Sequence, residues 1–485
     1  MSLNVSLRPR TLGKELGKTE QPIMPLAPAL SVPQEWAPSM FTVRVQDEEG
    51  RWIIYNSMTG AIGVIPKEKE EAILPLLREG YAGKLEGEAR DLAVKGFIVV
   101  KGINERRRAT LLKHKRQSSR TLRLILMPTE DCNFRCGYCY ESFLRGKMLR
   151  TVREGIKNLA IKTIPHLADL RVGWFGGEPL EAVEVIEELS HFMLGIARVH
   201  NVPYSSSITT NGYNLTPENF KKLLLCGVRQ IQVTLDGLPD QHNKLRVLNG
   251  GGPTFERIWA NLKAVREIQG EFHLLLRINF NPQTLSGLDD LLKLVAQEFG
   301  QDRRFSIFFR PIGNWGGPND GGFDVCDTTS SELGIFESAK KAVNHGIAAA
   351  LLHSPLAPNG SVCYASNANS FVIGSDGTIY KCTVALDKDI NKVGKILPTG
   401  EMEIDSDRFA LWVTSDDSED KVCQGCFYRP ACQGAACPLI RIETGQRPCP
   451  PEKKRIRQNL IAIWHQYQKL GKLDFGGAAI NGPMD

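Results

Sequence analysis

The chain has 485 residues, which is enough length for two or three domains. Hydrophobic residues make up 42% and charged residues 24%, an ordinary globular composition that excludes a wholly disordered chain. The net charge of +6 is too small to predict nucleic-acid binding by itself. Because no apolar run approaches the roughly 18 residues of a membrane helix and no secretory signal is visible, we expect a cytoplasmic protein without a membrane partner.

The first hundred residues predict a leader and a small module. Frequent prolines favour an irregular leader over residues 1–39. The strands and helices predicted next are Phe41–Val45, Trp52–Tyr55, Lys67–Leu77, Glu86–Lys95 and Phe97–Val100. This β-β-α-α-β order is typical of a winged-helix module. The basic connector that follows favours a solvated helix face over a binding patch for an acidic partner.

From Thr121 onward, short apolar strands alternate with amphipathic helical stretches. The six predicted strands are Leu122–Met127, Leu170–Phe175, Ser206–Thr209, Gln230–Leu235, Leu274–Phe280 and Phe305–Phe309. The helices between them include Thr151–Ile164, Ala182–Ala197, Pro217–Cys226, Phe255–Gln269 and Gly287–Glu298. This alternation predicts parallel pairing through right-handed crossovers, and therefore an incomplete barrel or a strongly curved open sheet. Chemistry then belongs at the C-terminal ends of the strands.

Beyond Asn319 the chain is rich in Gly, Ser and Asp and loses long periodicity. One hairpin is predicted, in which Ser370–Ile373 and Thr378–Lys381 flank a turn. Of the 12 cysteines, seven lie between Cys363 and Cys449 and none lies in the first 131 residues. In a chain expected to be reduced, such clustering favours metal ligation over disulfides, with the metal serving as the core of this region.

Three more cysteines, Cys132, Cys136 and Cys139, follow the first strand of the predicted barrel. Three thiolates so close in sequence can bind three irons of one cubane cluster and leave the fourth iron without a protein ligand. An open metal position is typical of a catalytic site. Zinc is the alternative, although structural zinc sites usually have two-residue gaps and four protein ligands.

The spacing C-x3-C-x2-C, with an aromatic residue before the last cysteine, resembles the signature of the radical S-adenosylmethionine (SAM) enzymes. Segments at three further strand ends resemble motifs of the same family: Gly176-Gly177-Glu178-Pro179, Thr209-Thr210-Asn211-Gly212 and Thr234-Leu235-Asp236-Gly237. Arg277 resembles an arginine that the family carries on its fifth strand. The resemblance covers roughly Leu122 to Arg310.

This resemblance implies a first 4Fe–4S cluster on the three cysteines and a set of SAM contacts. The implied SAM-binding residues are Tyr138, Gly176, Gly177, Glu178, Thr210, Asn211, Thr234, Asp236 and Arg277. Glu178 would face the methionine ammonium, because a carboxylate is its natural charge partner. Thr234 and Asp236 would contact hydroxyl groups, Arg277 would lie near the methionine carboxylate, and Tyr138 would lie beside the adenine.

The C-terminal cysteines resemble the SPASM extension of this family, whose seven cysteines hold two auxiliary 4Fe–4S clusters. The family pattern assigns Cys423, Cys426, Cys432 and Cys449 to one cluster, and Cys363, Cys382 and Cys437 to the other. Four residues separate Cys432 from Cys437, where the family usually has three. The second set lacks one ligand, so either Cys326 supplies it or one iron is open to a substrate thiolate. The implied cofactors are three 4Fe–4S clusters and SAM.

The resemblance also implies an activity. The first cluster would give one electron to SAM, and the resulting radical would abstract hydrogen from an unactivated C–H bond. The N-terminal module is similar to the element with which ribosomal-peptide maturases add a leader peptide to a sheet edge. We therefore expect an oxidoreductase that installs a crosslink, preferably a thioether, in a ribosomally made precursor. Its expected partners are that precursor with its leader and an electron donor such as flavodoxin or ferredoxin; nucleic acid is not expected.

Several alternatives stay open. The product could be a carbon–carbon or carbon–oxygen crosslink or an epimerised residue. A sulfatase maturase would instead form formylglycine, but such enzymes carry an aspartate just after the cysteine that matches Cys382, where this chain has Thr383. A redox-sensing regulator that binds nucleic acid is the non-enzyme alternative. No general base can be chosen among Tyr140, Glu141, His242 and Arg246.

The expected fold class is α/β: a partial (β/α)6 TIM-like barrel with an N-terminal winged-helix-like domain and a C-terminal iron–sulfur (SPASM) domain. The expected boundaries are 1–39 for the leader, 40–105 for the winged-helix-like peptide-recognition domain, 106–120 for the basic connector, 121–318 for the radical SAM barrel, 319–455 for the SPASM domain, and 456–485 for a C-terminal helix and tail.

Overall fold

The computed structural model of this protein describes residues 35–143, 145–313 and 324–471. Most of the predicted leader, the end of the predicted tail, and the junction at 314–323 between the predicted barrel and SPASM domain therefore lie outside the described residues. No helix among the described residues is long and apolar enough to cross a membrane.

The strands of the described residues are β1 (Trp36–Pro38), β2 (Thr42–Gln46), β3 (Trp52–Asn56), β4 (Ala61–Ile65), β5 (Ile98–Val100), β6 (Thr121–Leu126), β7 (Phe134–Cys136), β8 (Asp169–Trp174), β9 (Tyr204–Thr210), β10 (Val228–Thr234), β11 (Arg246–Leu248), β12 (His273–Phe280), β13 (Phe305–Pro311), β14 (Ser370–Ile373), β15 (Thr378–Tyr380), β16 (Lys392–Ile396) and β17 (Met402–Ile404).

The helices are α1 (Glu70–Ile73), α2 (Glu88–Val94), α3 (Glu105–Gln117), α4 (Arg150–Thr163), α5 (Val183–Val199), α6 (Pro217–Leu225), α7 (Pro239–Leu245), α8 (Phe255–Arg266), α9 (Pro282–Leu285), α10 (Leu288–Phe299), α11 (Thr328–Asn344), α12 (Ser406–Thr414), α13 (Lys421–Gln424), α14 (Arg429–Cys432), α15 (Pro438–Thr444), α16 (Pro451–Lys454) and α17 (Ile456–Leu470). The five helices predicted between the barrel strands are all present, with ends that differ by at most three residues.

The chain forms two compact units. The first contains the described residues of 1–118, 351–363 and 415–479, and the second contains those of 119–350 and 364–414.

The second unit is built on one ten-stranded sheet in the order β13-β12-β10-β9-β8-β6-β14-β15-β16-β17. Each neighbouring pair from β13 to β6 is parallel. These are the six predicted strands, so the prediction of an α/β fold with a parallel core is confirmed. The connecting helices bury one apolar stripe each, as α10 does with Leu288, Leu291, Leu292 and Val295.

The predicted hairpin of β14 and β15 is present. It does not stand apart from the barrel strands, because β14 pairs in parallel with β6 and so continues the same sheet. All four residues of β14 are buried, as is typical of a strand inside a sheet. β15, β16 and β17 complete this side of the sheet with antiparallel pairs.

The first unit begins with a three-stranded antiparallel sheet of β2, β3 and β4. A separate antiparallel pair joins β1 to β5. The sequence predicted neither β1 nor β4. The helix expected over Lys67–Leu77 is divided into 3-10 turns around the short helix α1. This expectation was wrong because Pro75 has no N–H to donate and ends the α-helical ladder.

The basic connector forms helix α3. Its Lys113 side chain is buried and its ammonium lies 2.6 Å from a carboxylate oxygen of Asp416 and 2.9 Å from one of Asp417. The Arg429 guanidinium also contacts Asp417, at 2.5 Å. The prediction that this helix presents a solvated face is therefore wrong at Lys113, whose charge forms buried ion pairs inside the first unit.

Candidate active site

The three cysteines of the predicted cluster site lie in the loop that follows β6. Part of this loop is the short strand β7, which pairs with β11 so that Cys136 stands opposite Arg246. The Gly137 N–H donates to the carbonyl of Leu245 at 2.9 Å, and the Asn249 N–H donates to the carbonyl of Asn133 at 2.7 Å. The backbone of the cysteine loop is therefore held on both flanks of β7.

The thiols of this loop influence one another electrostatically. Burial raises the pKa of Cys132, and the charges of Glu178, Cys136 and Cys139 raise it further. Burial also raises the pKa of Cys139 to about 12, with Glu141 and Cys136 adding to the shift. The three thiols thus interact electrostatically, and they must lose their protons when metal binds.

The donor set of this loop is made of sulfur alone. Three thiolates suit an iron–sulfur cluster, in which each cysteine binds a different iron. The residues present therefore fit a cluster with three protein ligands. Among the described residues, no group of three or more His, Cys, Asp and Glu side chains is placed to hold a single metal ion.

Gly176 and Gly177, predicted to approach SAM, make room for the backbone that leads into the cysteine loop. A Cβ atom on Gly177 would lie 2.3 Å from the carbonyl oxygen of Asp131. A Cβ atom on Gly176, whose φ is +118°, would lie 2.2 Å from that of Thr129. The contact that the structure reveals at these glycines is one between two chain segments.

Glu178 has no exposed surface. One carboxylate oxygen accepts hydrogen bonds from the Thr210 hydroxyl (2.6 Å) and the Leu180 N–H (3.0 Å), and the other accepts from the Asn211 N–H (2.7 Å). Burial raises the pKa of Glu178 to about 7, although these three hydrogen bonds act in the opposite direction. A carboxylate has about four acceptor positions, so one remains for a further donor.

Thr210 and Asn211 therefore hold Glu178 and are placed as predicted at the end of β9. The Asn211 side-chain amide also donates to the Asn133 side chain at 2.7 Å and lies 4.0 Å from the Cys132 sulfur. Asn133, which the sequence did not single out, thus connects this cluster of residues to the cysteine loop.

Tyr138 and Asp236 belong to a second buried group. The Tyr138 hydroxyl donates to the Asp236 carboxylate and accepts from Arg246 at 2.7 Å and from the Asn279 amide at 3.0 Å. Asp236 is fully buried and also accepts from the Asn279 N–H at 3.2 Å. Its carboxylate, predicted to contact a hydroxyl of SAM, is thus surrounded by protein donors.

Three other residues complete this edge of the sheet. Arg277 donates to the Asn279 side chain at 2.8 Å, and Thr234 is buried at the end of β10. His242 is fully buried, and its Nδ1 accepts from the Asp236 N–H at 3.2 Å. Burial lowers the pKa of His242 well below its usual value, so the ring is neutral. Asn279 gave no sequence signal because its role depends on neighbours from other strands.

The first unit holds six of the seven predicted auxiliary-cluster ligands. Burial raises the pKa of Cys432 to about 12, and the nearby thiols of Cys423 and Cys449 raise it further. Cys423 and Cys426 are one helical turn apart, and the Cys426 N–H donates to the carbonyl of Cys423 at 3.1 Å. The ligands predicted for one cluster therefore approach one another in the first unit.

The other predicted set is divided between the two units. Cys363 and Cys437 lie in the first unit, and the Cys363 N–H donates to the carbonyl of Ala435 at 2.9 Å. Cys382 lies in the second unit, where its N–H donates to the Asn391 side chain at 2.9 Å. Cys326 also lies in the second unit, just before α11. This cluster and its fourth ligand stay predictions.

Residues 126–295 match the Radical SAM superfamily. The resemblance is therefore confirmed: this part of the chain is a radical SAM domain, set on the parallel sheet and carrying the cysteine loop at its C-terminal edge.

The chain is 30% identical over 196 residues to the GTP 3',8-cyclase of Microcystis aeruginosa, a match that covers 38% of this chain and about half (55%) of that protein. It is 25% identical over 338 residues to the cysteine-type anaerobic sulfatase-maturating enzyme of Clostridium novyi, covering 65% of this chain and 87% of that enzyme. Among solved structures, native anSMEcpe with bound AdoMet and Cp18Cys peptide has a TM-score of 0.51 and 17% identity, covering 72% of this chain and 96% of that chain. The structural match supports the fold.

Proposed function

We propose that this protein is a radical SAM peptide maturase that installs a crosslink, preferably a thioether, in a ribosomally made precursor. The observation that carries the proposal is the sulfur-only loop of Cys132, Cys136 and Cys139 at the C-terminal edge of the parallel sheet, beside buried Glu178. When bound, a 4Fe–4S cluster and SAM supply a one-electron cleavage that yields a hydrogen-abstracting radical.

The chain's own residues bind and orient these groups. The three cysteines would ligate the cluster, and the free acceptor position of Glu178 would receive the ammonium group of SAM. The Tyr138 and Asp236 group would hold the cysteine loop against the ends of β10 and β12. Placing the reacting carbon close to the radical and excluding water are then the tasks of the protein.

The peptide substrate is supported by the N-terminal sheet of the first unit. In this sheet β2 is an edge strand, with residues that are half-buried or exposed. An edge strand presents unpaired backbone groups to which an extended peptide can add as a further strand. We infer that the leader of the precursor binds to an edge of this sheet.

Thioether formation balances as follows. The substrate carbon loses one hydrogen atom to the SAM-derived radical, the cysteine thiol loses a proton, and one electron leaves the substrate as the carbon–sulfur bond forms. The seven C-terminal cysteines would supply the electron acceptor as auxiliary clusters. The initial electron would come from a flavodoxin or ferredoxin. Because thiolates that ligate iron–sulfur clusters must stay reduced, we propose that the protein works in a reducing compartment, the cytoplasm.

The test is co-expression with a cysteine-containing peptide encoded beside the gene, followed by mass spectrometry of the peptide. A thioether removes two hydrogen atoms, keeps the sulfur and protects it from thiol alkylation. The variant in which Cys132, Cys136 and Cys139 are all alanine is the control and should leave the peptide unchanged. A peptide that stays unmodified with the intact protein, under conditions in which SAM is cleaved, would contradict a peptide crosslink.

Formylglycine formation is the second candidate, favoured by the similarity to the Clostridium novyi sulfatase-maturating enzyme. Against it stands Thr383, which occupies the position where such maturases carry an aspartate. Thr383 is fully buried and its hydroxyl lies 2.8 Å from the Tyr364 hydroxyl, so residue 383 itself supplies no carboxylate to take a proton. The same mass spectrum separates the candidates, because formylglycine formation from cysteine removes the sulfur.

A further inference from the structure

Three cationic side chains surround the cysteines predicted to bind one auxiliary cluster. The Arg441 guanidinium donates to the Cys423 sulfur at 3.6 Å, and the Lys453 ammonium lies 3.8 Å from the Cys449 sulfur. Arg447 is close enough to interact electrostatically with both sulfurs. All of these residues belong to the first unit.

Asp420 contacts two of these cations. Asp420 accepts from Arg441 at 3.2 Å and from Arg447 at 2.8 Å, and it also accepts from the Cys423 N–H at 3.2 Å. Asp420 therefore offsets one of these guanidinium charges and lies beside Cys423, whereas the Lys453 ammonium faces the Cys449 sulfur.

We propose that Arg441, Arg447 and Lys453 raise the reduction potential of the cluster held by Cys423, Cys426, Cys432 and Cys449. The inference rests on the proposed function, since it assumes that a cluster binds there. Reduction adds one negative charge to a cluster, and nearby positive charges and hydrogen bonds to its sulfurs stabilise that charge.

The experiment is a redox titration of the reconstituted full chain, followed by electron paramagnetic resonance. To isolate this cluster, Cys132, Cys136 and Cys139 are replaced by alanine in every sample, and signals are assigned by comparison with a sample that also lacks Cys423 and Cys426. In Lys453→Met we expect the ratio of oxidised to reduced cluster at a fixed potential to rise about tenfold, which is about 59 mV for one electron. Lys453→Arg keeps the charge and should restore the wild-type ratio.

Lys469→Met is the matched control, because it removes an exposed lysine from the same unit. Lys469 lies near the far end of α17, about 20 Å along the axis from the start of that helix. Its titration curve should match that of the wild type. If Lys453→Met and Arg447→Met bind iron and the reduction potential of the cluster is unchanged, this inference alone is overturned. If the protein that keeps Cys423, Cys426, Cys432 and Cys449 shows no cluster signal, the cluster assignment on which the inference rests is contradicted.

Discussion

The hydroxyl of Tyr138 donates a hydrogen bond to the carboxylate of Asp236, two residues that are 98 positions apart in the chain. Tyr138 lies in the cysteine loop and Asp236 lies just after β10, so this contact fixes the loop to the edge of the parallel sheet. Arg246 and Asn279 donate to the same hydroxyl from β11 and β12. One side chain therefore joins the predicted cluster loop to three other segments of the barrel.

Tyr138→Phe tests this connection. Removing the hydroxyl takes one hydrogen bond from the buried Asp236, which keeps the Asn279 N–H, and one from Arg246, which lies 3.7 Å from Asp236. A lost hydrogen bond to a charged group costs about 1.5–3 kcal/mol. We expect the free energy of unfolding in urea to fall by that amount and SAM cleavage to fall about tenfold, equivalent to about 1.4 kcal/mol, while iron content is kept. Tyr213→Phe is the control, because the ring of Tyr213 packs against Phe134 and Arg257 and its backbone carbonyl accepts a hydrogen bond, contacts that phenylalanine keeps. Equal effects of the two substitutions would refute the role given to the Tyr138 hydroxyl.

Gly177→Ala tests the close approach of two backbone segments. The added methyl group would lie 2.3 Å from the Asp131 carbonyl oxygen, so the segment leading into Cys132 must move. We expect loss of iron from the first site, measured by iron analysis and absorption. The control is Gly195→Ala in α5, where no described atom lies within 4 Å of the new methyl and helix propensity favours alanine by about 1 kcal/mol. A normally loaded Gly177→Ala protein would show that this packing is dispensable.

The raised pKa of Glu178, about 7, predicts a pH dependence of SAM binding. Only the ionised carboxylate attracts an ammonium group, and below the pKa the neutral form dominates. The affinity for SAM should therefore be constant above pH 7 and fall about tenfold for each pH unit below it. The affinity for SAM can be measured by isothermal titration calorimetry of the reconstituted protein between about pH 5.5 and about pH 8.5. These values bracket the pKa by about 1.5 units.

Glu178→Gln should bind SAM weakly with no such dependence, because the amide does not ionise. The affinity for SAM should rise with pH because the raised pKa keeps the Glu178 carboxyl protonated in the free protein at low pH. Only the ionised form binds the ammonium group, and its fraction grows as the pH rises. A wild-type affinity that stays constant down to pH 5.5, about 1.5 units below this pKa, would exclude Glu178 as the ammonium partner.

Lys113→Met tests the buried ion network of the first unit. The substitution leaves Asp416 without its 2.6 Å partner in a buried position, and breaking a buried ion pair on one side costs about 3–5 kcal/mol. Thermal and urea unfolding should show a loss of this size. Lys101→Met, which removes an exposed pair with Glu35, should cost less than about 1 kcal/mol. Similar small losses for both would mean that the network contributes nothing to stability.

The parallel core could be predicted because its strands are short apolar runs between amphipathic helices. The continuation of the sheet through β14 could not, since pairing with β6 joins residues about 250 positions apart and depends on the folded barrel. β4 was missed because Gly63 interrupts its apolar run of five residues. Propensity alone also predicted one long helix where Pro75 ends the hydrogen-bond ladder.

The candidate site divides in the same way. The cysteines and Glu178 stand in compact sequence patterns with a chemical reason for each residue type. Asn133 and Asn279 contribute through partners from other strands, and such pairs leave no local pattern. The cations that face Cys423 and Cys449 could not be predicted either, because only the fold of the cysteine-rich segment brings them close to these sulfurs.

The most direct test is the cleavage of SAM by anaerobically reconstituted protein with dithionite as reductant. We predict that the intact protein releases 5′-deoxyadenosine. Replacing Cys132, Cys136 and Cys139 by alanine should abolish this product and remove about four irons per chain, the content of one cubane. Release of 5′-deoxyadenosine at an unchanged rate by the substituted protein, or zinc in place of iron at these cysteines, would contradict the central assignment.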